Sequence, residues 1–207
     1  MEAEIYVQLR KYLFYLCRII PVEVFEGLLL LFFVGAIIIF YFSGWKKGWR
    51  KVIGLFLAEY VILIYCSTVI FRQVKEGARY NYSPFWSYDA IRDGHDFLIV
   101  ENIMNVLMFV PVGILLGMIA LKTLKSLKEW LIAIGIGLCV SITIEVLQFI
   151  FRRGLSEFDD VMHNTLGCLI GLMIIAVIEG IWKFCSYLYV LWWGHAQCGR
   201  SEVSCKK

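Results

Sequence analysis

Apolar residues in this chain come in blocks of near-spanning length, separated by short polar stretches. The blocks run from about Phe25 to Phe42, Val52 to Phe71, Ile103 to Leu121, Trp130 to Phe151 and Thr165 to roughly Trp182. A helix needs about 20 apolar residues to cross a hydrocarbon core of about 30 Å, and it satisfies its backbone hydrogen bonds within one segment. The pattern predicts an all-α fold, a polytopic bundle of about five transmembrane helices occupying residues 25–182. Residues 1–24 read differently. Ile5, Leu9, Leu13, Leu16 and Ile20 recur at spacings of three and four among charges, as in a helix lying on a membrane surface. The same charges interrupt any signal-peptide core. Residues 183–207 form an aromatic and basic tail, whose Tyr187, Tyr189, Trp192 and Trp193 suit the headgroup level.

Composition agrees. Hydrophobic residues make up 60% of the chain and charged ones 18%, an apolar balance rare in a soluble domain. A net charge of +3 gives no reason to expect a nucleic-acid partner. The placement of charge says more. Lys46, Lys47, Arg50 and Lys51 lie in the first inter-helix loop, and Lys122, Lys125 and Lys128 lie in the third. In a five-helix topology these loops share a side, cytoplasmic by the positive-inside rule. Arg10, Lys11 and Arg18 then face the other way, against that rule. Whichever way the bundle points, loops 72–102 and 152–164 share the opposite face. None of the seven cysteines forms a C-x-x-C pair, so neither a disulfide framework nor a zinc site is expected. His195, Cys198 and Cys205 read as a polar end of the chain, since their spacing matches no zinc pattern.

The unusual polar residues gather on that opposite face. Glu145, Gln148 and Arg152 are spaced by three and four and form one helix stripe. Glu145 and Arg152 are separated by roughly 10 Å along a straight helix, too far for direct contact. Glu145 therefore needs a partner on another helix, water, or a proton, and Arg72 and Arg79 can approach from the shared face. A carboxylate in a membrane span is by default a functional candidate with a partner, the plainer alternative being a buried polar clamp. Asp160, Asn164, Gly167 and Gly171 form a second stripe, with glycines that permit close helix approach. Asp159 or Asp160 suits a helix N-terminus electrostatically, which accounts for one of them and not both. Asn102 and Asn105 stand at the outer start of the third helix, where Pro111 is expected to introduce a kink. Glu59, inside the second block, is expected to snorkel toward Lys51 or to pair within the bundle. His163 beside the two aspartates is a weak metal candidate, and no cofactor is indicated.

Taken in order, these fragments resemble the VanZ-like family. Arg72 closes the second helix. Asn81, Pro84 and Phe85 form Asn-x-x-Pro-Phe. Asn102, Asn105, Phe109, Pro111 and Gly113 form Asn-x-x-Asn-x-x-x-Phe-x-Pro-x-Gly. Glu145, Gln148 and Arg152 form Glu-x-x-Gln-x-x-x-Arg, and Asp160, Asn164, Gly167 and Gly171 form Asp-x-x-x-Asn-x-x-Gly-x-x-x-Gly. The resemblance covers about residues 60–180, and its specificity lies in the order and spacing together. It implies a multi-pass protein of the bacterial cell membrane. The family's namesake is linked to resistance to glycopeptide antibiotics, chiefly teicoplanin.

Three function classes follow. The first is an envelope-modulating or glycopeptide-resistance protein with a polar site at the outer membrane face. Its partners would be membrane lipid and either a lipoglycopeptide antibiotic or a lipid-linked cell-wall precursor. The second is an intramembrane enzyme acting on phospholipid or polyprenyl-phosphate headgroups, where arginine suits phosphate and Glu145 or Asp160 would be the general base. The third is a transporter, which the lack of a visible internal repeat disfavours. The residues expected to carry the site are Arg72, Asn81, Asn102, Asn105 and Glu145, with Gln148, Arg152, Asp159, Asp160 and Asn164.

Overall fold

The computed structural model describes residues 20–77, 79–120 and 127–204, together with Val7 and Arg10, and side chains as far as Val190. It is an all-α bundle with one minimal sheet. Helix α1 (Val22–Tyr65) leads into a π-helical turn at Cys66–Ile70. A short strand β1 (Tyr80–Asn81) and the short helix α2 (Trp86–Arg92) follow. Then come α3 (Phe97–Ala120), α4 (Leu127–Phe151), the strand β2 (Ser156–Glu157) and α5 (Phe158–Ser204).

Four helices are long and apolar enough to cross a membrane, and the first, with its π turn, runs for 49 residues. That length holds both of the first two predicted spans. They are separated at Gly44, whose φ of 67° is outside the helical region and costs glycine little. The limbs on either side fold against each other. Phe32 meets Phe56 edge to face, Phe40 stacks on Trp45, and the Lys51 ammonium donates to Ser43 Oγ at 2.9 Å. Gly35 leaves room for Leu55, and Gly48 leaves room for the Phe40 ring. The five predicted apolar segments therefore sit in four helices.

The core lies where α3 crosses α5, the most extensive helix contact in the molecule. Phe109, Val112, Cys168 and Leu172 are buried there, with Ile64 and Ile144 from α1 and α4 closing the sides. The crossing is made by glycine. A β-carbon on Gly167 would lie 2.1 Å from the Val106 carbonyl oxygen, and one on Gly171 would lie 2.1 Å from that of Val110. With lipid outside as apolar as the side chains inside, association rests on such close packing. Many large apolar side chains elsewhere face outward, among them Leu30, Phe33, Ile37 and Val177, as a lipid-facing surface requires.

Several boundaries differ from the sequence expectation. Helix α3 begins at Phe97, so Glu101 and Asn102 are helical, and it continues unbroken through Pro111. The Tyr60 hydroxyl donates to the neighbouring Met108 carbonyl at 3.0 Å. Helix α5 begins at Phe158, because Asp159 and Asp160 in its first turn favour a helix N-terminus. It also carries on into the expected tail. Of the expected surface helix over 1–24, only Val7, Arg10 and residues 20–24 are described, and the last three of these belong to α1. Lys122 and Lys125, and the side chains of Trp192, Trp193, His195, Cys198 and Cys205, are outside them as well.

Candidate functional site

The two loops expected to share a face are physically joined. Strands β1 and β2 pair in parallel, Tyr80 opposite Ser156 and Asn81 opposite Glu157. The Lys75 N–H donates to the Arg152 carbonyl at 2.8 Å, and the Ser156 N–H donates to that of Arg79 at 3.0 Å. The Arg153 guanidinium donates to the Arg72 carbonyl at 2.8 Å and also to that of Ile70. These acceptors follow from the π turn that ends α1, which takes its carbonyls out of the regular ladder. Ser67 and Thr68 hydroxyls both return to the Ile64 carbonyl, and Gln148 Nε2 donates to the Thr68 carbonyl at 3.3 Å.

Beneath the joined loops is a polar cavity of about 230 Å³, bounded by the π turn and by α3, α4 and α5. Six of the expected site residues line it: Arg72, Asn105, Glu145, Gln148, Asp160 and Asn164. Lys75, Glu101 and Glu157 line it too, which the sequence did not single out. Four carboxyl groups thus face two cations. Asn105 Nδ2 donates to Asp160 Oδ1 at 2.6 Å, and Glu145 Oε2 accepts the Glu157 backbone N–H at 2.9 Å. The Arg72 guanidinium lies over Gly154, where a β-carbon would come within 2.9 Å of Cζ. Gly154 has a φ of 128°, so the position suits glycine on both counts. Among the described residues the direct ion pairs are Arg92 with Asp89 and Lys183 with Glu179. Arg72 therefore acts on the cavity's carboxyls at longer range than a direct ion pair. Burial, reinforced by the Asp160 carboxylate, pushes the Glu157 carboxyl up to about 8, while the hydrogen bond from Trp86 Nε1 at 2.9 Å pulls the other way.

Of the remaining expected residues, Asp159, Asn102 and Asn81 lie beside the cavity. Asp159 is buried, and its carboxylate accepts from Phe85 N at 2.7 Å, Ser87 N at 2.9 Å and Ser87 Oγ at 2.6 Å. Asn102 Nδ2 donates to Ser87 Oγ at 3.2 Å, and Asn81 Oδ1 accepts the Ser83 N–H in a local turn. His163 Nε2 meets the Tyr88 hydroxyl at 2.8 Å. Arg152 sits outside the cavity lining. Helix α4 ends at Phe151 and Arg152 takes a φ of 56°, so its exposed side chain leaves the stripe of Glu145 and Gln148. Arg153, one position on, makes the contacts to the π turn. Glu59 does not snorkel: it is buried within α1, its Oε1 has no hydrogen-bond partner among the described residues, and Lys51 serves Ser43 instead. No group of three or more His, Cys, Asp or Glu among the described residues is arranged to hold a metal ion.

A family model described as VanZ/LLP1 matches residues 28–179, well over half of the chain. The chain belongs to the VanZ/LLP1 family. The match takes in the first span as well as the motif-bearing stretch. Protein VanZ from Enterococcus faecium is 36% identical over 74 residues, covering 36% of this chain and 43% of that protein. The chain thus aligns with less than half the length of this relative. No solved structure matches it. Within the VanZ/LLP1 fold seen here, the family-like motif residues other than the exposed Arg152 fall mainly into two groups. Arg72, Asn105, Glu145, Gln148, Asp160 and Asn164 face the cavity, while Asn81, Asn102 and the glycines of α3 and α5 hold its walls.

Proposed function

We propose that this protein modulates the bacterial cell envelope, in the manner of a glycopeptide-resistance protein, by engaging a ligand in the polar cavity at one membrane face. One observation carries the reading. Side chains from four separate stretches of chain converge on one cavity at the end of the apolar bundle, and unpaired charge in a membrane bundle is costly enough to be functional by default. Kinship with protein VanZ supplies the class of function, and teicoplanin-type glycopeptides supply the phenotype to measure. The ligand belongs to the membrane boundary: a lipid, a lipid-linked wall precursor, or the lipid-bearing antibiotic itself.

A second reading has a specific observation in its favour. Arg72 and Lys75 provide the charge a phosphoryl group needs, and Glu145 and Asp160 stand in the same cavity as candidate bases. This would make the protein an intramembrane enzyme acting on phosphorylated headgroups. Transport is less favoured, since the described helices form one bundle around a site at its end. The deciding experiment expresses wild type and Glu145→Ala in a teicoplanin-sensitive host and measures susceptibility together with the headgroup composition of extracted lipids. Raised tolerance with wild type, lost in the variant and with an unaltered lipid profile, supports envelope modulation without catalysis. A new headgroup species favours the enzyme. Unchanged susceptibility and unchanged lipids with wild type would remove both.

A further inference from the structure

The polar cavity has a neighbour that neither reading uses. An apolar groove of about 570 Å³ lies between the start and the end of α1, lined by Phe25, Tyr60, Leu63 and Ile64 among others. Its volume lies within the range of about 300–1,000 Å³ typical of ligand sites. Ser67 and Met108 line both the groove and the cavity, so the two spaces adjoin at these residues. The occupant of such a pair of spaces is an amphiphile.

The polar half also has a chemistry of its own. Gln148 and Asn164 are 3% and 2% exposed, and Gln148 Oε1 and Asn164 Oδ1 are without hydrogen-bond partners among the described residues. Each amide already uses its nitrogen, toward the Thr68 carbonyl and Ser141 Oγ respectively, so what each still offers is an acceptor. A buried acceptor left unmet costs about 1–3 kcal/mol, so a ligand bearing N–H groups is favoured over one without. Glu101, Glu145 and Asp160 add further acceptors, while Arg72 and Lys75 form the cationic end suited to phosphate.

We propose that cavity and groove form one site for a single amphiphile, with a phosphate-and-primary-amine headgroup in the cavity and its hydrocarbon chain in the groove. The inference rests on the reading above that the cavity is the working site, and it names the class of ligand. The test uses the full-length protein in detergent, with retained lipid read by native mass spectrometry. The probes are lysophosphatidylethanolamine, lysophosphatidylcholine, lysophosphatidylglycerol and chain-free glycerophosphoethanolamine. The ethanolamine lipid is expected to bind at least tenfold tighter than the choline lipid, whose nitrogen has no N–H. It is expected to bind tighter than the glycerol lipid, which has phosphate without amine, and at least a hundredfold tighter than the chain-free headgroup. Gln148→Leu should erase the preference for ethanolamine over choline while chain binding persists. Leu63→Trp should weaken all three lipids alike. Equal retention of the three lipids, or binding of the headgroup without its chain, overturns the proposal. If either variant fails to fold, the wild-type series decides alone. The outcome separates from the phenotype: tolerance without headgroup selection leaves the envelope role and removes this site, whereas headgroup selection without tolerance does the reverse.

Discussion

Replacing Gly167 by alanine should open the crossing of α3 and α5. The added β-carbon would stand 2.1 Å from the Val106 carbonyl oxygen, 2.9 Å from its carbon and 3.1 Å from Phe109 Cβ. Ordinary contact begins near 3.4 Å, so the helices must separate by about 1.3 Å at this point, or one must bend. The obstacle is backbone, which has no rotamer to change. Overpacking typically costs about 1–3 kcal/mol, and a clash between two main chains belongs at or above the top of that range. At about 1.4 kcal/mol per factor of ten, roughly 3 kcal/mol is a hundredfold loss in the folded-to-unfolded ratio. Cys168 provides the readout, because it is fully buried in the same seam. In a background whose other six cysteines are replaced by serine, alkylation of Cys168 in micelles should accelerate by about two orders of magnitude in Gly167→Ala. Gly135→Ala is the control: nothing lies within 4 Å of its β-carbon, and alanine is the better helix former by about 1 kcal/mol. Protection of Cys168 equal in both variants would refute the claim that backbone contact holds this crossing.

Asp159→Ala should release the Phe85–Ser87 turn, because three donors converge on that carboxylate. Hydrogen bonds to a charged group are worth about 1.5–3 kcal/mol each, and limited proteolysis within 80–96 should speed up accordingly. Arg153→Ala should cost about 2 kcal/mol through its lost bonds to the Ile70 and Arg72 carbonyls. Arg152→Asn should be neutral or stabilising in the same denaturation assay, since asparagine tolerates positive φ. The Glu157 carboxyl, near 8 when folded against an ordinary 4.5, holds its proton in the native state where the unfolded chain has lost it. Its contribution to stability therefore falls as pH rises between those values, and Glu157→Gln should flatten the decline in a detergent unfolding series.

The spans were legible because the length of an apolar run is itself the physical requirement for crossing a bilayer. The gathering of Asn105, Glu145, Gln148, Asp160 and Asn164 was legible for a related reason. Spacings of three and four put residues on one helix face, and the two spans between the loops return the chain to the same side. The stripe rule stops where the helix stops. Arg152 follows the last turn of α4 in a left-handed conformation, so a spacing that holds for Gln148 no longer applies to it. Glu157 and Lys75 were hidden because their positions depend on pairing between two distant loops, two residues deep, that leaves no alternating pattern. Glu101 was hidden because apolar length placed the start of α3 several residues too late. Asp159 looked like a twin of Asp160. Adjacent positions on a helix point about 100° apart, which sends one carboxylate to the turn and the other to the cavity.

The reversal at Gly44 bears on how the chain enters its bilayer. Two apolar limbs already packed through Phe32, Phe40 and Phe56 can partition together as a preassembled pair. Both outer ends of the pair then emerge on the same side. Lys46, Lys47, Arg50 and Lys51 follow the bend within one or two helical turns and stay with it. By the positive-inside rule such a compact patch of cations would hold the bend on the cytoplasmic side, and the later segments would inherit that choice.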